Sequence, residues 1–294
     1  MEVLFALITA FAFGFDYYFI RRGLLTDPYP LVAAFLTLTV NVFFFLSLFY
    51  FFVPAELLKW PLIYPFVLAG ILAPGCARIF SYKGLEQLGM AIATPIINSE
   101  TLFSVTMAII FLHETINISI VCGIVSVITG LVLLNYEMGQ RQGKQPSGTV
   151  NYLFIFYPVT AAFFYGVSVF FRKFGLIATG SPIMGAAITS GTSWIILVVL
   201  MMTGRQMRNL TRIGRNGLLY FTLGGVMTCV AWLSLFSALN IGKVALVSPI
   251  ANSYSLATLF ISYLFLKDVE RITWKTIVAT CLVVGGIFLL ILGR

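Results

Sequence analysis

Pro95-Ile96-Ile97-Asn98-Ser99 returns as Pro249-Ile250-Ala251-Asn252-Ser253, 154 residues further along the chain. Each copy lies deep inside an apolar run and is followed by a helix length of further apolar residues. The match spreads outward from there. Residues 163–189 lie over residues 11–37 without a gap, pairing Gly166 with Gly14, Gly175 with Gly23, Leu176 with Leu24 and Pro182 with Pro30. The tails Gly130-Leu131-Val132-Leu133-Leu134 and Gly286-Ile287-Phe288-Leu289-Leu290 stand 156 residues apart. These offsets differ only by small loop insertions, so the chain is a duplicated unit.

Composition sets the medium. Apolar residues make up 60% of the chain and charged residues 10%, and Phe alone accounts for 28 positions. With a mean hydropathy of +1.01, an ordinary soluble domain is excluded. Apolar runs separated by short polar stretches predict ten membrane helices over 3–20, 30–53, 62–82, 88–112, 117–135, 151–171, 182–203, 217–238, 244–266 and 273–292. Ten spans leave no room for a soluble catalytic domain. The first span does not read as a cleaved leader, because Glu2 replaces a basic start and Asp16 sits where small residues belong. The net charge of +8 comes from basic residues at helix ends, which fits lipid headgroups and topology rather than nucleic acid. Cys76, Cys122, Cys229 and Cys281 fall inside spans without metal-ligand spacing and read as inert packing residues. His113 is the single histidine, is expected at a helix end, and excludes a multi-histidine metal site.

The polar, Gly- and Gln-rich stretch 137–150 reads as a linker between two five-helix repeats, 1–136 and 151–294. An odd number of spans per repeat inserts the second copy upside down. The expected fold is therefore an all-α membrane protein of ten transmembrane helices, arranged as two five-helix inverted-topology repeats. Five basic residues, Lys59, Arg172, Lys173, Lys243 and Arg294, are assigned to the face that carries the termini. Twelve fall on the other, among them Arg205, Arg208, Arg212 and Arg215. The positive-inside rule then places both termini outside.

In such a protein, proline interruptions at matching points of two repeats are the best sequence pointer to a binding site. Pro95 and Pro249 each free a carbonyl one turn upstream, tolerated only inside protein or beside a cavity. Pro74 and Gly75 predict a further bend in the third span. Asn98, Ser99, Asn252 and Ser253 stand one turn beyond their prolines, either as polar walls of a central pocket or as interhelical glue worth about 1 kcal/mol each. Asp16 and Glu100 are the acids well inside predicted spans. A charged carboxylate there costs about 2.5–3.5 kcal/mol on insertion scales, so it faces a cavity or a partner. Both are candidates to bind an amine or carry a coupling proton; the structural alternative pairs them with Arg78.

The repeats differ where a single asymmetric ligand needs them to. Arg78 aligns with Trp232, Glu100 with Tyr254 and Asp16 with Ser168. Tyr17, Tyr82, Tyr157, Tyr165, Trp232 and Tyr254 are candidates for an aromatic lining. No nucleotide-binding loop, zincin helix or nucleophile elbow is present, so neither catalysis nor ATP-driven pumping has its residues, and no cofactor is expected.

The order Ala91-Ile92-Ala93-Thr94-Pro95, then Leu112-His113-Glu114, then Gly123 and Gly130, resembles the drug/metabolite transporter superfamily, specifically its ten-helix EamA type. The second half repeats it as Ala245-Leu246-Val247-Ser248-Pro249, Lys267-Asp268 and Gly285-Gly286, with Asp268 where the family usually shows Glu. The resemblance implies an alternating-access secondary transporter whose cavity is formed largely by helices one, three, four, six, eight and nine. It also implies cytoplasmic termini, against the charge count. Together these readings predict an exporter of a small metabolite, such as an amino acid or other zwitterion, with Arg78 drawing a carboxylate. The expected partners are the substrate, membrane lipids and a coupling proton, in a monomer or homodimer of a prokaryotic plasma membrane. A lipid-linked substrate flippase or multidrug exporter is the alternative, and an intramembrane enzyme a remote one.

Overall fold

A computed structural model describes residues 1–88, 90–141, 152–204, 206–265 and 274–293. Its helices are α1 (Glu2–Thr26), α2 (Pro30–Phe52), α3 (Trp60–Gly70, a π-helical turn Ile71–Cys76, then Ala77–Leu88), α4 (Met90–Ile97 and Glu100–Leu112) and α5 (Ile118–Arg141). The second half supplies α6 (Phe156–Thr179), α7 (Pro182–Thr203), α8 (Arg215–Ile241), α9 (Val244–Asn252 and Tyr254–Phe265) and α10 (Trp274–Leu292). Among the described residues, nine helices are long and apolar enough to cross a membrane. The ninth expected span, over 244–266, is a pair of helices interrupted at Ser253, as α4 is at Ser99, and its end runs into residues outside the described set.

The two breaks are built alike. Ser99 has φ −67° and ψ −1°, and Ser253 has φ −70° and ψ 6°, against ψ near −42° in a regular helix. Closing ψ toward zero tightens the turn, so the Ser99 N–H donates to Ile96 O at 3.1 Å and the Ser253 N–H to Ile250 O at 3.1 Å. Each Ser hydroxyl donates to the same carbonyl, at 2.6 Å and 2.7 Å. The interruption thus falls one turn beyond each proline, where a Ser side chain competes for the carbonyl three residues back.

In α3 the bend has a different cause. A residue before proline is pushed out of helical geometry, and Ala73 is extended at φ −147°, ψ 127°. The carbonyls this frees are met by side chains of α6 and α7. Ala69 O accepts from Ser168 Oγ at 3.0 Å, Gly70 O from Ser193 Oγ at 3.0 Å, and Ala73 O from Arg172 Nη2 at 3.1 Å. The repeat counterpart of Pro74 is Thr228, and α8 runs through that point unbroken.

Each repeat reaches into the other. Gly14 of α1 lies against Ala257 and Ile261 of α9, where a Cβ would come within 2.9 Å of the Ala257 Cβ. Its counterpart Gly166 of α6 lies against α4, where a Cβ would come 2.5 Å from the Phe103 Cβ and 2.8 Å from Glu100 O. The helices α5 and α10 close on one another the same way, with Gly130 against Ala279 O and Gly286 against Gly123 O. Ser126 Oγ donates to Leu282 O at 2.7 Å, joining two residues that are themselves repeat counterparts and so lie on the pseudo-two-fold axis. Phe66, Phe221 and Phe236 fill the interior, while Phe11, Phe43, Phe51 and Phe288 are exposed on the outside, as lipid permits.

On the side of the termini, Glu114 caps α9 from the end of α4. Its Oε1 accepts from the Val244 N–H at 2.8 Å and its Oε2 from the Ala245 N–H at 3.1 Å, meeting two of the donors that a helix start leaves open. Glu114→Ala is expected to cost about 0.5–2 kcal/mol and lower the detergent melting temperature, with Glu114→Gln intermediate. An unchanged melting temperature would exclude the capping role. Asp268, the counterpart of Glu114, lies outside the described residues. His113 ends α4 in the left-handed conformation, φ 52°.

Three sequence expectations change. The α5 helix continues to Arg141, so the first residues of the expected linker are helical. Glu137 there pairs with Lys275 of α10 at 3.0 Å. The rest of that stretch, 142–150, lies outside the described residues. Cys122 and Cys281 are exposed rather than packing residues; only Cys229 is buried. Most consequential, α6 runs to Thr179 rather than ending near 171, which brings Arg172 and Lys173 into the bundle. The Lys173 ammonium donates to Leu239 O at 2.7 Å and Gly242 O at 2.9 Å, capping the end of α8.

Candidate functional site

The breaks of α4 and α9 face one another across the two halves. Asn252, the last residue before the α9 break, sends Nδ2 to Glu100 Oε1 at 2.9 Å and to Thr101 Oγ1 at 2.8 Å. One turn along, the Ser104 and Ser248 hydroxyls share a hydrogen bond at 2.9 Å. The tight turn at Ser99 starts a new helix at Glu100, and the carboxylate therefore projects from the first turn of that helix toward the opposing break. Sequence reasoning had singled out Glu100 and Asn252 separately; the fold joins them.

The same junction is asymmetric. By repeat position, Asn98 answers Asn252 and Tyr254 answers Glu100. Tyr254 instead stacks on Tyr17 of α1, with ring centres 5.1 Å apart and planes 8° from parallel, and Phe13 meets it edge-on at 6.0 Å. The Asn98 Nδ2 is left buried without a hydrogen-bond partner among the described residues. Tyr165 lies on α6.

Arg172 is the group that sequence reasoning placed elsewhere. Its side chain is 8% exposed. The guanidinium lies over the Trp232 ring at 5.1 Å and the Phe236 ring at 5.7 Å, within cation–π range. Besides the bond from Nη2 to Ala73 O, its Nε is buried with no partner among the described residues. Trp232 and Phe236 stand four apart on α8, one face of the helix, and that aromatic pair was the available signal for a cation opposite.

Asp16, on α1, is 7% exposed and packs on Gly224 of α8. Its Oδ1 has no hydrogen-bond partner among the described residues. Arg78 itself lines a pocket between α2, α3 and α7, with Leu31, Leu38, Ser193 and Leu197. Gly75, at the α3 bend, lies against Ile196 of α7. Ser168, the counterpart of Asp16, is engaged with Ala69 O. Tyr82 and Pro74 lie on α3, with side chains outside the described set. Pro95 and Pro249 are buried inside their helices.

Two acids and two arginines thus lie within the membrane-spanning helices, Asp16 on α1, Arg78 on α3, Glu100 on α4 and Arg172 on α6. Charges at such depth are costly unless they meet a partner or a cavity. Among the described residues no cluster of three His, Cys, Asp or Glu side chains is placed to hold a metal ion. What the arrangement offers is a set of buried polar groups at the contact between the halves, on helices that are already interrupted.

The sequence model of the EamA-like transporter family matches residues 1–136 and again 152–292. An uncharacterized protein of Methanocaldococcus jannaschii is 27% identical over 129 residues, which is 44% of this chain and 89% of that protein. A solved structure described only as "Crystal structure of protein" has the same fold. It superposes with a TM-score of 0.78 at 14% identity, over 100% of this chain and 97% of the other.

Proposed function

We propose a function from one premise: the chain belongs to the EamA-like transporter family and is an integral membrane transporter of small solutes. The reading that the site supports best is a secondary active exporter of a small zwitterion with an aromatic or apolar portion, such as an amino acid. The single observation that carries it is the bond from Asn252 to Glu100 across the two broken helices. It places a carboxylate and an amide at the contact between inverted repeats, beside the stacked Tyr17 and Tyr254 rings. Glu100 and Asp16 are the proton or amine carriers in this scheme. Solute binding favours closure on one side, and the repeats exchange roles to open the other. The charge asymmetry supports termini outside; Arg172, now inside the bundle, drops from the smaller set and leaves the bias in place.

Proteoliposomes test this reading. L-phenylalanine is expected to accumulate against its gradient when a pH gradient is imposed, and phenylethylamine, which lacks the carboxylate, is expected to move far less. Transport of lipophilic cations with no movement of zwitterions would replace this reading with a multidrug exporter.

A further inference from the structure

The cavity between α2, α3 and α7 is separate from the helix breaks, since no residue at the breaks of α4 and α9 lines it. Its walls are aliphatic: Leu31 and Leu38 from α2, Ile79 from α3, and Ile196, Leu197 and Leu200 from α7. Among the lining residues Arg78 is the one charged side chain and Ser193 the one hydroxyl. The Ser193 hydroxyl lies 2.8 Å from Thr189 O and 3.0 Å from Gly70 O, so its proton is taken. The guanidinium is then the polar side-chain group that a ligand meets. Arg78 is partly exposed rather than enclosed.

The position of the cavity follows from its walls. Leu31 is in the first turn of α2 and Leu200 in the last turn of α7, both at the face opposite the termini. Leu31 to Leu38, and Ser193 to Leu200, each cover about 10 Å of helix rise, which carries the cavity from that face toward Gly75 at the α3 bend. On α2, Phe43 is 69% exposed to lipid and Leu38 only 4% exposed. At 3.6 residues per turn these two point about 140° apart, so the cavity lies on the bundle side of α2. Beyond Leu200 the turn Gln206–Arg212 rests on α2 and α7 and exposes Arg208 and Arg212. Exposed cations at a mouth of this kind raise the local concentration of anions.

We propose that this cavity is a loading site, where the solute binds first from the arginine-rich face with its carboxylate on Arg78 and an alkyl group between the leucine and isoleucine walls. This rests on the zwitterion reading above and narrows its apolar portion, at this site, to an aliphatic one. A guanidinium offers a carboxylate two parallel bonds. The lining has no ring on which an aromatic side group could stack. By the positive-inside rule the arginine-rich face is cytoplasmic, the side from which an exporter takes its solute.

The test titrates 4-methylpentanoate and its amide, which share one shape and differ in charge, into full-length protein in lipid nanodiscs, with empty nanodiscs as the blank. Wild type is expected to bind the carboxylate at least about tenfold more tightly than the amide. Arg78→Gln should bring the carboxylate down to the affinity of the amide. Leu200→Trp probes the same cavity at a partly exposed position, away from the arginine, and should weaken both ligands severalfold by filling the mouth. That readout stands even if Arg78→Gln does not fold. A carboxylate preference kept in Arg78→Gln, unchanged affinities in Leu200→Trp, or a wild type that does not tell acid from amide each overturns the loading site. The zwitterion reading is judged separately, by the L-phenylalanine and phenylethylamine fluxes, and stands or falls on those.

Discussion

Glu100→Gln is expected to abolish solute accumulation driven by a pH gradient while leaving solute exchange in place. Gln keeps the shape of the side chain and an oxygen for the Asn252 amide, which now reaches Glu100 Oε1 at 2.9 Å. The bond changes from charge-assisted to neutral, a loss of about 1 kcal/mol. That is too little to unfold a bundle whose halves interlock through α1 with α9 and α6 with α4. What Gln cannot do is bind and release a proton. Liposomes loaded with solute should therefore still exchange label with the outside, whereas net uptake against a gradient falls to that of empty liposomes. The pH dependence of flux should flatten at the same time. Asp16→Asn in the same assay separates the two acids, because Asp16 packs on Gly224 of α8 rather than on the breaks of α4 and α9. Wild-type accumulation by Glu100→Gln would remove Glu100 from the coupling scheme.

Gly166→Val is expected to give the largest loss of stability. A Cβ at this point would meet the Phe103 Cβ at 2.5 Å, Glu100 O at 2.8 Å and Ser104 N at 2.8 Å. Two of these are backbone atoms, which cannot rotate away, so α6 must move off α4. Overpacking of this kind costs about 1–3 kcal/mol or more, and here it also separates Arg172 on α6 from Glu100 on α4. The variant should elute from size exclusion as aggregate, or melt well below wild type. Gly14→Val, at the matching contact of α1 with Ala257 and Ile261, should behave in parallel because the duplication places it at the same joint. Wild-type melting by either variant would show that the helices do not approach as described.

The sequence made the symmetric part of this molecule legible. Pro95 to Ser99 and its copy carry their own instructions, since a proline and a Ser four residues on act through nearby backbone. The matched glycines likewise required only local reading, and Gly14 and Gly166 meet opposite halves at equivalent joints. The pairing of Asn252 with Glu100 was not legible. It joins residues of different repeats, and the corresponding pair, Asn98 and Tyr254, does not form it. Arg172 was misplaced for a simpler reason: a charge after an apolar run of ordinary length reads as the end of a span. Two physical facts overrode that rule, a carbonyl released by the residue before Pro74 and an aromatic surface on α8. Neither is visible from the neighbours of Arg172 in the chain. The role of Glu114 was half legible, as an acid at a helix end, but the helix that it caps lies 130 residues away.

The central claim is that the solute passes between the two helix breaks. It is tested most directly by placing a cysteine at Asn98, in a chain whose four native cysteines are changed to Ser, and timing its reaction with a small water-soluble thiol reagent. The account predicts that the transported solute slows this labelling severalfold, with half-protection at the concentration that half-saturates transport. Labelling at the same rate with and without solute, in protein that still transports, would place the pathway elsewhere.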